Sequence, residues 1–309
     1  MQVLKSEGEV LDKIDGYPFS ANFQEVPTEN GVSVRIHYVD EGPKEGQPIV
    51  LLHGNPTWSY SYRKVIPILA AAGYRVLAPD LVGLGRSDKP TALSDYSIAR
   101  HISWLEHWFN LLDLENVTLV CQDWGGMIGL SLASKDHTRF SGILVTNTGV
   151  YHENVMTKEQ MQHIEKWAEL ARSSPDFPFE ANLQGMINRK LTETELAAYL
   201  SPYSVPESRC GLRSFPSFIP VIPSGKEAKV ECLRTWERLR DWHKPMLIAY
   251  SDGDPLTAPF AKVFKSRVPG TQGEAHITIK GGAHNVQEDR PQALAEVTLK
   301  FAVRCSQRT

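Results

Sequence analysis

The chain has 309 residues and a formal net charge of -3, with 41% hydrophobic and 22% charged residues. These values are ordinary for a globular protein, and the length suits an α/β architecture with an inserted segment. Nucleic acids and anionic membranes require basic stripes, so the charge favours a small neutral ligand. We therefore expect no nucleic-acid or membrane partner; the oligomeric state stays open.

Four scattered cysteines form no CxxC pair and have no metal-like spacing with histidine: Cys121, Cys210, Cys232 and Cys305. Reduced, mostly buried thiols in a reducing compartment are the simplest interpretation. The first residues are polar and lack the apolar core of a signal peptide. No apolar run approaches the length of a membrane span. The sequence therefore predicts a cytoplasmic protein that needs no metal and no cofactor.

Strand-like and helical segments alternate through the first half of the chain. Residues 31–39 alternate apolar and polar side chains, as a half-exposed antiparallel strand does. Apolar runs typical of buried strands lie at 48–52, 74–78, 117–121 and 142–147; helical patterns lie at 61–72, at 98–112 and from 126 onward. Buried strands separated by helices predict a mostly parallel sheet that is covered on both faces.

The pattern changes at about residue 151. Thr157-x-x-Gln160 and Thr192-x-x-Glu195 are capping-box signatures that open helices. Strand patterns resume at 245–250 and 275–280, and a last helix is predicted from 291 to about 303. The expected organisation is an α/β core in two parts, residues 1–150 and 229–309, with a helical cap inserted at 151–228.

Asp123 lies at the turn between the strand from Val117 and a glycine-rich helix start. An α/β-hydrolase carries its nucleophile, usually serine, at this turn. Asp254 and His284 follow later strands, in the order nucleophile, acid, base, and the carboxyl ends of parallel strands can bring all three together. Each also has a structural explanation: Asp123 as a helix cap, Asp254 as a turn residue and His284 as a loop histidine.

A carboxylate nucleophile limits the reactions that the site could catalyse. It is already ionised at neutral pH, and its attack on a saturated carbon that bears a leaving group gives a stable alkyl ester. His284 is then free to activate the water that hydrolyses this ester, and the backbone N–H groups of Asn55 and Trp124 are expected to stabilise the oxyanion. Two leaving groups fit this scheme: a halide and the oxygen of a strained epoxide.

The sequence resembles the haloalkane dehalogenases over nearly its full length. The matching motifs are His53-Gly-Asn-Pro-Thr-Trp-Ser59, the loop from Asp80 to Pro90, Gln122-Asp-Trp-Gly-Gly126, Asp254-Pro, and Gly282-Ala-His284 followed by Gln287-Glu-Asp289. The resemblance implies an α/β-hydrolase fold, with Asp123 as nucleophile, His284 as base and Asp254 as the acid that orients the base. It also implies a small halogenated apolar substrate, water and a halide ion as partners. One subfamily takes its acid from the strand near residues 146–148, where this chain has no carboxylate.

A departing halide needs hydrogen-bond donors, and an indole N–H is a donor with no acceptor face. The family uses the tryptophan after the nucleophile, here Trp124. In the subfamily that this sequence most resembles, a cap tryptophan is the second donor, and Trp167 is the only tryptophan in the insertion. Trp167 also shares a helix face with Ala168 and Ala171, so packing is an alternative. Asn55 competes for the role, because other dehalogenases use asparagine here, and both side chains could serve.

Three alternatives remain open from the sequence. An epoxide hydrolase needs acids to protonate the alkoxide, and Tyr199 and Tyr203, four residues apart, could share a helix face for that purpose; they could equally be core or surface residues. Relatives that open β-lactones with an aspartate nucleophile carry similar motifs. A non-catalytic ligand receptor of the same fold is the third alternative, although such proteins often lose a triad member and this chain has all three.

Overall fold

The structure is a computed structural model that describes residues 1–6, 14–29, 31–152, 155–174 and 177–307. The strands in these ranges are β1 Val3–Leu4, β2 Asn22–Pro27, β3 Ser33–Glu41, β4 Pro48–Leu52, β5 Arg75–Pro79, β6 Lys89–Pro90, β7 Val117–Gln122, β8 Phe140–Thr146, β9 Met246–Ser251 and β10 Ile277–Ile279. The α-helices are α1 Ile66–Ala71, α2 Ile98–Leu111, α3 Asp123–Lys135, α4 Lys158–Ser173, α5 Phe179–Gly185, α6 Glu193–Leu200, α7 Cys210–Ser214, α8 Lys226–Leu239, α9 Ala258–Arg267, α10 Val286–Asp289 and α11 Pro291–Ser306.

Eight strands form one sheet in the order β10-β9-β8-β7-β4-β5-β3-β2. Strand β3 pairs antiparallel with β2 and β5, and the remaining neighbours are parallel. The short β1 and β6 form a separate antiparallel pair. The predicted mostly parallel sheet is confirmed. Strand β7, which leads into Asp123, lies between β4 and β8 and is buried along its whole length.

Helices cover both faces of this sheet and bury a separate hydrophobic cluster on each. Strand β4 illustrates the division, because successive side chains of a strand point to opposite faces. Val50 and Leu52 belong to one cluster, with Trp108 of α2. Ile49 and Leu51 belong to the other, with Phe301 of α11. Both faces of β4 are therefore buried, which explains its continuous apolar run. The sequence analysis predicted a buried strand from that run.

Local signals set most helix boundaries, with two differences from prediction. Both capping boxes are present, at Thr157 before α4 and at Thr192 before α6. The helix predicted from 61 to 72 is shorter: residues 59–62 form a buried 3-10 turn, and α1 begins at Ile66. Proline at position 67 fits the first turn of α1, where its missing N–H costs no hydrogen bond. Helix α3 begins at Asp123 itself rather than at Gly126.

The segment between β8 and β9 contains α4 to α7 and the helix α8. Helix α8 packs on the core helix α3, where the Ser131 and Thr235 hydroxyls lie 2.7 Å apart in a buried hydrogen bond. The predicted boundary at 228/229 therefore falls in the first turn of a helix that contacts the core. The division into core and cap stays a prediction, and "cap" below denotes residues 151–228.

All four cysteines are buried, as predicted. Within the ranges that the structure describes, no helix is both long enough and apolar enough to cross a membrane. In the same ranges, no three histidine, cysteine, aspartate or glutamate side chains are grouped as metal ligands would be.

Candidate active site

Asp123 occupies a sharp turn between β7 and α3. Its φ of 51° lies in the left-handed region, which is unfavourable for a residue with a side chain. Its backbone N–H donates to the carbonyl of Asn147 (3.0 Å), and its carbonyl accepts from the Thr148 hydroxyl (2.6 Å). A Cβ at Gly54 would collide with the Asp123 carboxylate. The glycine allows the loop after β4 to close against the turn, and the turn holds the carboxylate at the end of β7.

The three predicted triad residues converge. His284 Nε2 lies 3.2 Å from Asp123 Oδ2, and His284 Nδ1 lies 2.9 Å from Asp254 Oδ2. Asp254 is buried and also accepts hydrogen bonds from the backbone N–H groups of Leu256 and Thr257 (3.2 and 3.3 Å). Because Nδ1 faces a carboxylate, it carries a proton and donates it. The ring is thereby oriented with Nε2 toward Asp123.

The charges at this site are strongly coupled. Burial opposes protonation of His284, but hydrogen bonds to Asp123 and Asp254 and their charges outweigh burial and raise its pKa to about 10. Burial also opposes ionisation of Asp254, yet the hydrogen bond and charge of His284 hold the pKa of that carboxyl below its usual range. The resting site therefore contains an imidazolium between two carboxylates at neutral pH. Such a ring cannot act as a base until one of its anionic neighbours loses its charge.

The two carboxylate oxygens of Asp123 have different partners. Oδ2 faces His284, whereas Oδ1 accepts the backbone N–H of Asn55 at 2.8 Å. Trp124 follows Asp123 in the first turn of α3, where backbone N–H groups have no acceptor within the helix. An oxyanion that forms at Oδ1 would have the Asn55 donor already in position.

Asp123 and His284 line a cavity of about 750 Å³ between the core and the cap. Asn55, Trp124 and Trp167, the three predicted halide-binding residues, line the same cavity. Trp124 is 8% exposed, and Trp167 of α4 is partly buried, with its ring edge-on to Phe177 at a centroid distance of 6.0 Å. Trp167 therefore packs within the cap and also lines the cavity, and its role as a halide donor stays a prediction.

The side chain of Asn55 lines the cavity and, within the described part of the chain, is buried without a partner for its amide oxygen. The residue is 5% exposed, and its Oδ1 has no hydrogen-bond partner among the described residues. An unpaired buried polar atom is costly, so stability alone does not account for an amide here. Its Nδ2 is a donor beside a wall of the cavity that also carries the Trp124 indole.

The tyrosine pair considered for an epoxide reaction does not line this cavity. Helix α6 ends at Leu200 and residues 201–203 form a 3-10 turn, so the two tyrosines share no continuous α-helical face. The Tyr199 hydroxyl donates to Glu288 (2.8 Å), and the Tyr203 hydroxyl accepts from the N–H of Gly85 (2.9 Å). The shared helix face that was considered is not formed, and the preferred interpretation, that these are not catalytic acids but core or surface residues, agrees with their burial in the hydrophobic core. Tyr151, which the sequence analysis did not consider, does line the cavity.

The structure also reveals residues that hold the His284 backbone and that the sequence analysis missed. Asn147 Nδ2 donates to the carbonyls of Ala283 (2.8 Å) and His284 (2.9 Å), and Gln122 Nε2 donates to the same His284 carbonyl (3.1 Å). The sequence analysis inspected residues 146–148 only for a carboxylate. An amide at the end of a buried strand was the available signal, because a buried polar side chain requires a partner.

A carboxylate five residues after His284 ties its loop to the cap. Asp289 accepts the backbone N–H of Ala283 at 2.8 Å, and it accepts the backbone N–H groups of Asn188 and Arg189 at 3.0 Å. One side chain thus restrains both the base loop and a cap segment. We call Asp289 and these three N–H groups the Asp289 clamp.

The neighbouring Glu288 adds an ionic contact between the same two parts. It is 1% exposed and accepts from the guanidinium groups of Arg63 in the core and Arg189 in the cap. Glu195 of α6 pairs with the same two arginines. Charged side chains at this depth require partners, and here the partners come from both sides of the boundary between core and cap.

The fold and the strand–turn–helix placement of Asp123 define an α/β hydrolase, and the family model described as alpha/beta hydrolase fold matches residues 47–291. The tetrameric structure of the haloalkane dehalogenase DpaA from Paraglaciecola agarilytica NO2 aligns with a TM-score of 0.86 and 30% identity, covering 97% of this chain and 98% of that one. A haloalkane dehalogenase of Psychrobacter cryohalolentis is 37% identical over 301 residues, 97% of this chain and 98% of its own. One from Mycobacterium marinum is 38% identical over 296 residues, 96% and 98% of the two chains.

This chain belongs to the haloalkane dehalogenase family, whose members are hydrolases that act on carbon–halide bonds. The resemblance drawn from its motifs is confirmed. The assignment to a subfamily with a cap tryptophan as halide donor stays a prediction.

Proposed function

We propose that the protein hydrolyses haloalkanes to a primary alcohol and a halide through a covalent alkyl ester on Asp123. The observation that carries the proposal is the Asp123 carboxylate itself, which lies 3.2 Å from His284 Nε2 and faces a cavity lined by two tryptophans. The partners are a small apolar halogenated substrate, water and the released halide. The residues that line the cavity include Asp123, His284 and the candidate halide donors, and Asp254 accepts from His284 Nδ1 at 2.9 Å.

In the first step an Asp123 carboxylate oxygen attacks the carbon that bears the halogen. A C–O bond forms, the carbon–halogen bond breaks, and the halide leaves with the electron pair. The halide needs no proton, only donors that offset its charge in a largely apolar cavity. Trp124 is one donor, and Trp167 and the Asn55 amide are candidates for the second, since all three line the cavity.

The ester then changes the state of His284. An esterified Asp123 carries no charge, so one of the two groups that raise the pKa of His284 to about 10 is lost. The imidazolium can then release its proton to solvent and become a base, while Asp254 still holds its Nδ1. The reaction itself thereby converts His284 from an acid into a base for the second step.

In the second step His284 takes a proton from water, and the oxygen of that water attacks the ester carbonyl carbon. The N–H of Asn55, 2.8 Å from Oδ1, stabilises the oxyanion together with the N–H of Trp124. Collapse of the intermediate breaks the bond to the alkyl oxygen, which takes the proton from His284 and leaves as the alcohol. Asp123 is then a carboxylic acid, and transfer of its proton to the neutral His284 regenerates the carboxylate and the imidazolium.

The test is incubation of the His284→Phe variant with 1-bromobutane. We expect one equivalent of bromide and a mass increase equal to the butyl group on Asp123, because the ester forms but is not hydrolysed. The wild type should release bromide continuously. If a wide panel of haloalkanes gives neither halide nor adduct, and styrene oxide is hydrolysed instead, the proposal is wrong.

Two other functions receive less support. Epoxide hydrolysis would require an acid at the alkoxide, and Tyr199 and Tyr203 are bound to Glu288 and Gly85 instead; the Tyr151 phenol is the remaining candidate for that role. A non-catalytic receptor would not require the hydrogen bonds that link Asp123, His284 and Asp254. The bromide and styrene oxide assays above distinguish all three.

A further inference from the structure

The wall of the active-site cavity is unusually rich in methionine. The chain has six methionines among 309 residues, and four of them are among the 22 residues that line this cavity. The four are Met127 of α3, Met156 before α4, Met161 within α4 and Met186 after α5. They come from three segments of the core and the cap, namely α3, the start of α4 and the end of α5, so the thioethers are not grouped in one helix.

Apolarity alone does not require methionine in these positions. Leucine has a similar volume and is exchanged with methionine in packed interiors at small cost. Methionine differs in two respects: it is unbranched and adaptable, and its sulfur is polarisable and interacts favourably with aromatic rings. Adaptability would serve any bulky substrate, whereas the sulfur contact favours a substrate with an aromatic ring.

The remaining lining and the size of the cavity favour the same class of substrate. Trp167, Phe260 and Tyr151 also line it, and aromatic side chains stack or pack edge-on with aromatic ligands. A volume of about 750 Å³ lies in the range of pockets that hold drug-sized ligands, typically about 300–1,000 Å³. A short haloalkane would leave most of this cavity to water.

We propose that the preferred substrates are aryl-substituted alkyl halides, with the halogenated carbon at Asp123 and the aromatic ring among the four methionines. This inference rests on the proposed dehalogenase function and specifies its substrate class. Met156 and Met161 are the specificity-determining residues that can be tested, because both line the cavity from the cap, whereas the three triad residues belong to the core. Met127 lies one turn after Asp123 in α3 and is left unchanged.

The experiment compares bromide release from 3-phenylpropyl bromide and 3-cyclohexylpropyl bromide, which have the same carbon skeleton with an aromatic and a saturated ring, with 1-bromobutane as reference. In the wild type we expect kcat/KM to favour the phenyl compound by about tenfold, since each sulfur–ring contact contributes roughly two- to tenfold. The double variant Met156→Leu/Met161→Leu should reduce this preference below about threefold.

Met246→Leu is the matched control, because Met246 is buried in β9 and does not line the cavity. It should retain the full phenyl preference. Equal kcat/KM for the two substrates in the wild type, or a preference that survives in the double variant, overturns the substrate assignment. Turnover of 1-bromobutane in those cases leaves the dehalogenase function standing, whereas no bromide from any of the three substrates contradicts both proposals.

Discussion

The core side and the cap side of the cavity are held in place in different ways. On the core side, Asp123 and Asp254 follow buried strands and His284 follows the edge strand β10. The three side chains are linked by hydrogen bonds through His284, and both carboxylates also accept from backbone N–H groups. On the cap side, α4 presents a partly buried Trp167 whose ring contacts Phe177. The buried hydrogen bonds fix the geometry of these three side chains, and in the proposed function the cap contributes contacts to the substrate and the halide. Core substitutions should therefore change rates by orders of magnitude and cap substitutions by small factors.

The largest effect is expected on the core side, at Asp254. Asp254→Asn removes the charge that stabilises the imidazolium of the second step and no longer selects the Nδ1–H form of His284. We expect steady-state bromide release to fall by about 10³- to 10⁴-fold, as for an equivalent change in a serine triad, with accumulation of the alkyl-enzyme. Initial-burst kinetics with mass spectrometry measure both quantities. Steady-state activity above one tenth of the wild type would mean that the core does not position the base as described.

The next prediction concerns the effect of the Asp123 charge on the pKa of His284. The raised pKa of about 10 keeps the ring charged at pH 8 in the wild type, because both carboxylates favour the charged form. Asp123→Asn substitutes a neutral group, as the ester does, so the pKa should fall and the ring should become neutral at a lower pH. NMR titration of the imidazole resonances measures this shift. An unchanged titration would contradict the proposal that alkylation of Asp123 lowers the pKa of His284 and so allows it to act as a base.

An intermediate effect is expected where the two sides meet, in the Asp289 clamp. Asp289→Asn leaves fewer acceptor sites for the N–H groups of Ala283, Asn188 and Arg189, so the base loop should be less precisely placed. We expect ester hydrolysis to slow by about thirtyfold, within the range that small displacements produce, while the initial burst of bromide persists. Single-turnover kinetics separate the two steps.

Asp241→Asn is the control for that measurement, because Asp241 is an exposed acid between α8 and β9. It should behave as the wild type. If Asp289→Asn slows alkylation and hydrolysis equally, the clamp contributes to general stability rather than to the position of His284.

The smallest effect is expected on the cap side, in halide binding. Trp167→Phe keeps an aromatic ring and loses one N–H donor, which should weaken inhibition by bromide by about tenfold, the value of a hydrogen bond to a charged group. Asn55→Ala removes the competing amide and should weaken inhibition less. Bromide inhibition constants in steady-state assays give the ranking. The reverse order would transfer the role of second donor to Asn55, on the core side.

Sequence patterns predicted the parts of the molecule that depend on local chemistry. The apolar run of β7, the turn at Asp123 and the capping boxes of α4 and α6 all involve residues within a few positions of one another. The positions of Asp123, Asp254 and His284 after successive strands also predicted that the three residues meet, because the carboxyl ends of parallel strands lie at the same edge of a sheet. The convergence of the three side chains follows from that rule.

Long-range contacts could not be predicted in the same way. Asn188 and Asp289 are 101 residues apart, and Arg63 and Glu288 are 225 residues apart. The hydroxyls of Tyr199 and Tyr203 bond to groups in the core because the cap folds back over it. Their partners depend on how an irregular helical insertion packs, and hydrophobic periodicity carries no information about that arrangement.

The sequence by itself predicted the positions of Asp123, Asp254 and His284 after successive strands and the sheet that carries them, because these depend on local turns and on the hydrophobic pattern of the strands. Only the tertiary structure decided what surrounds them: the Asn147 and Gln122 amides on the base loop, the Asp289 clamp, and the methionine-lined cavity with Trp167. Those features join distant segments, and the burial of polar and apolar groups at their contacts selects one packing of the cap.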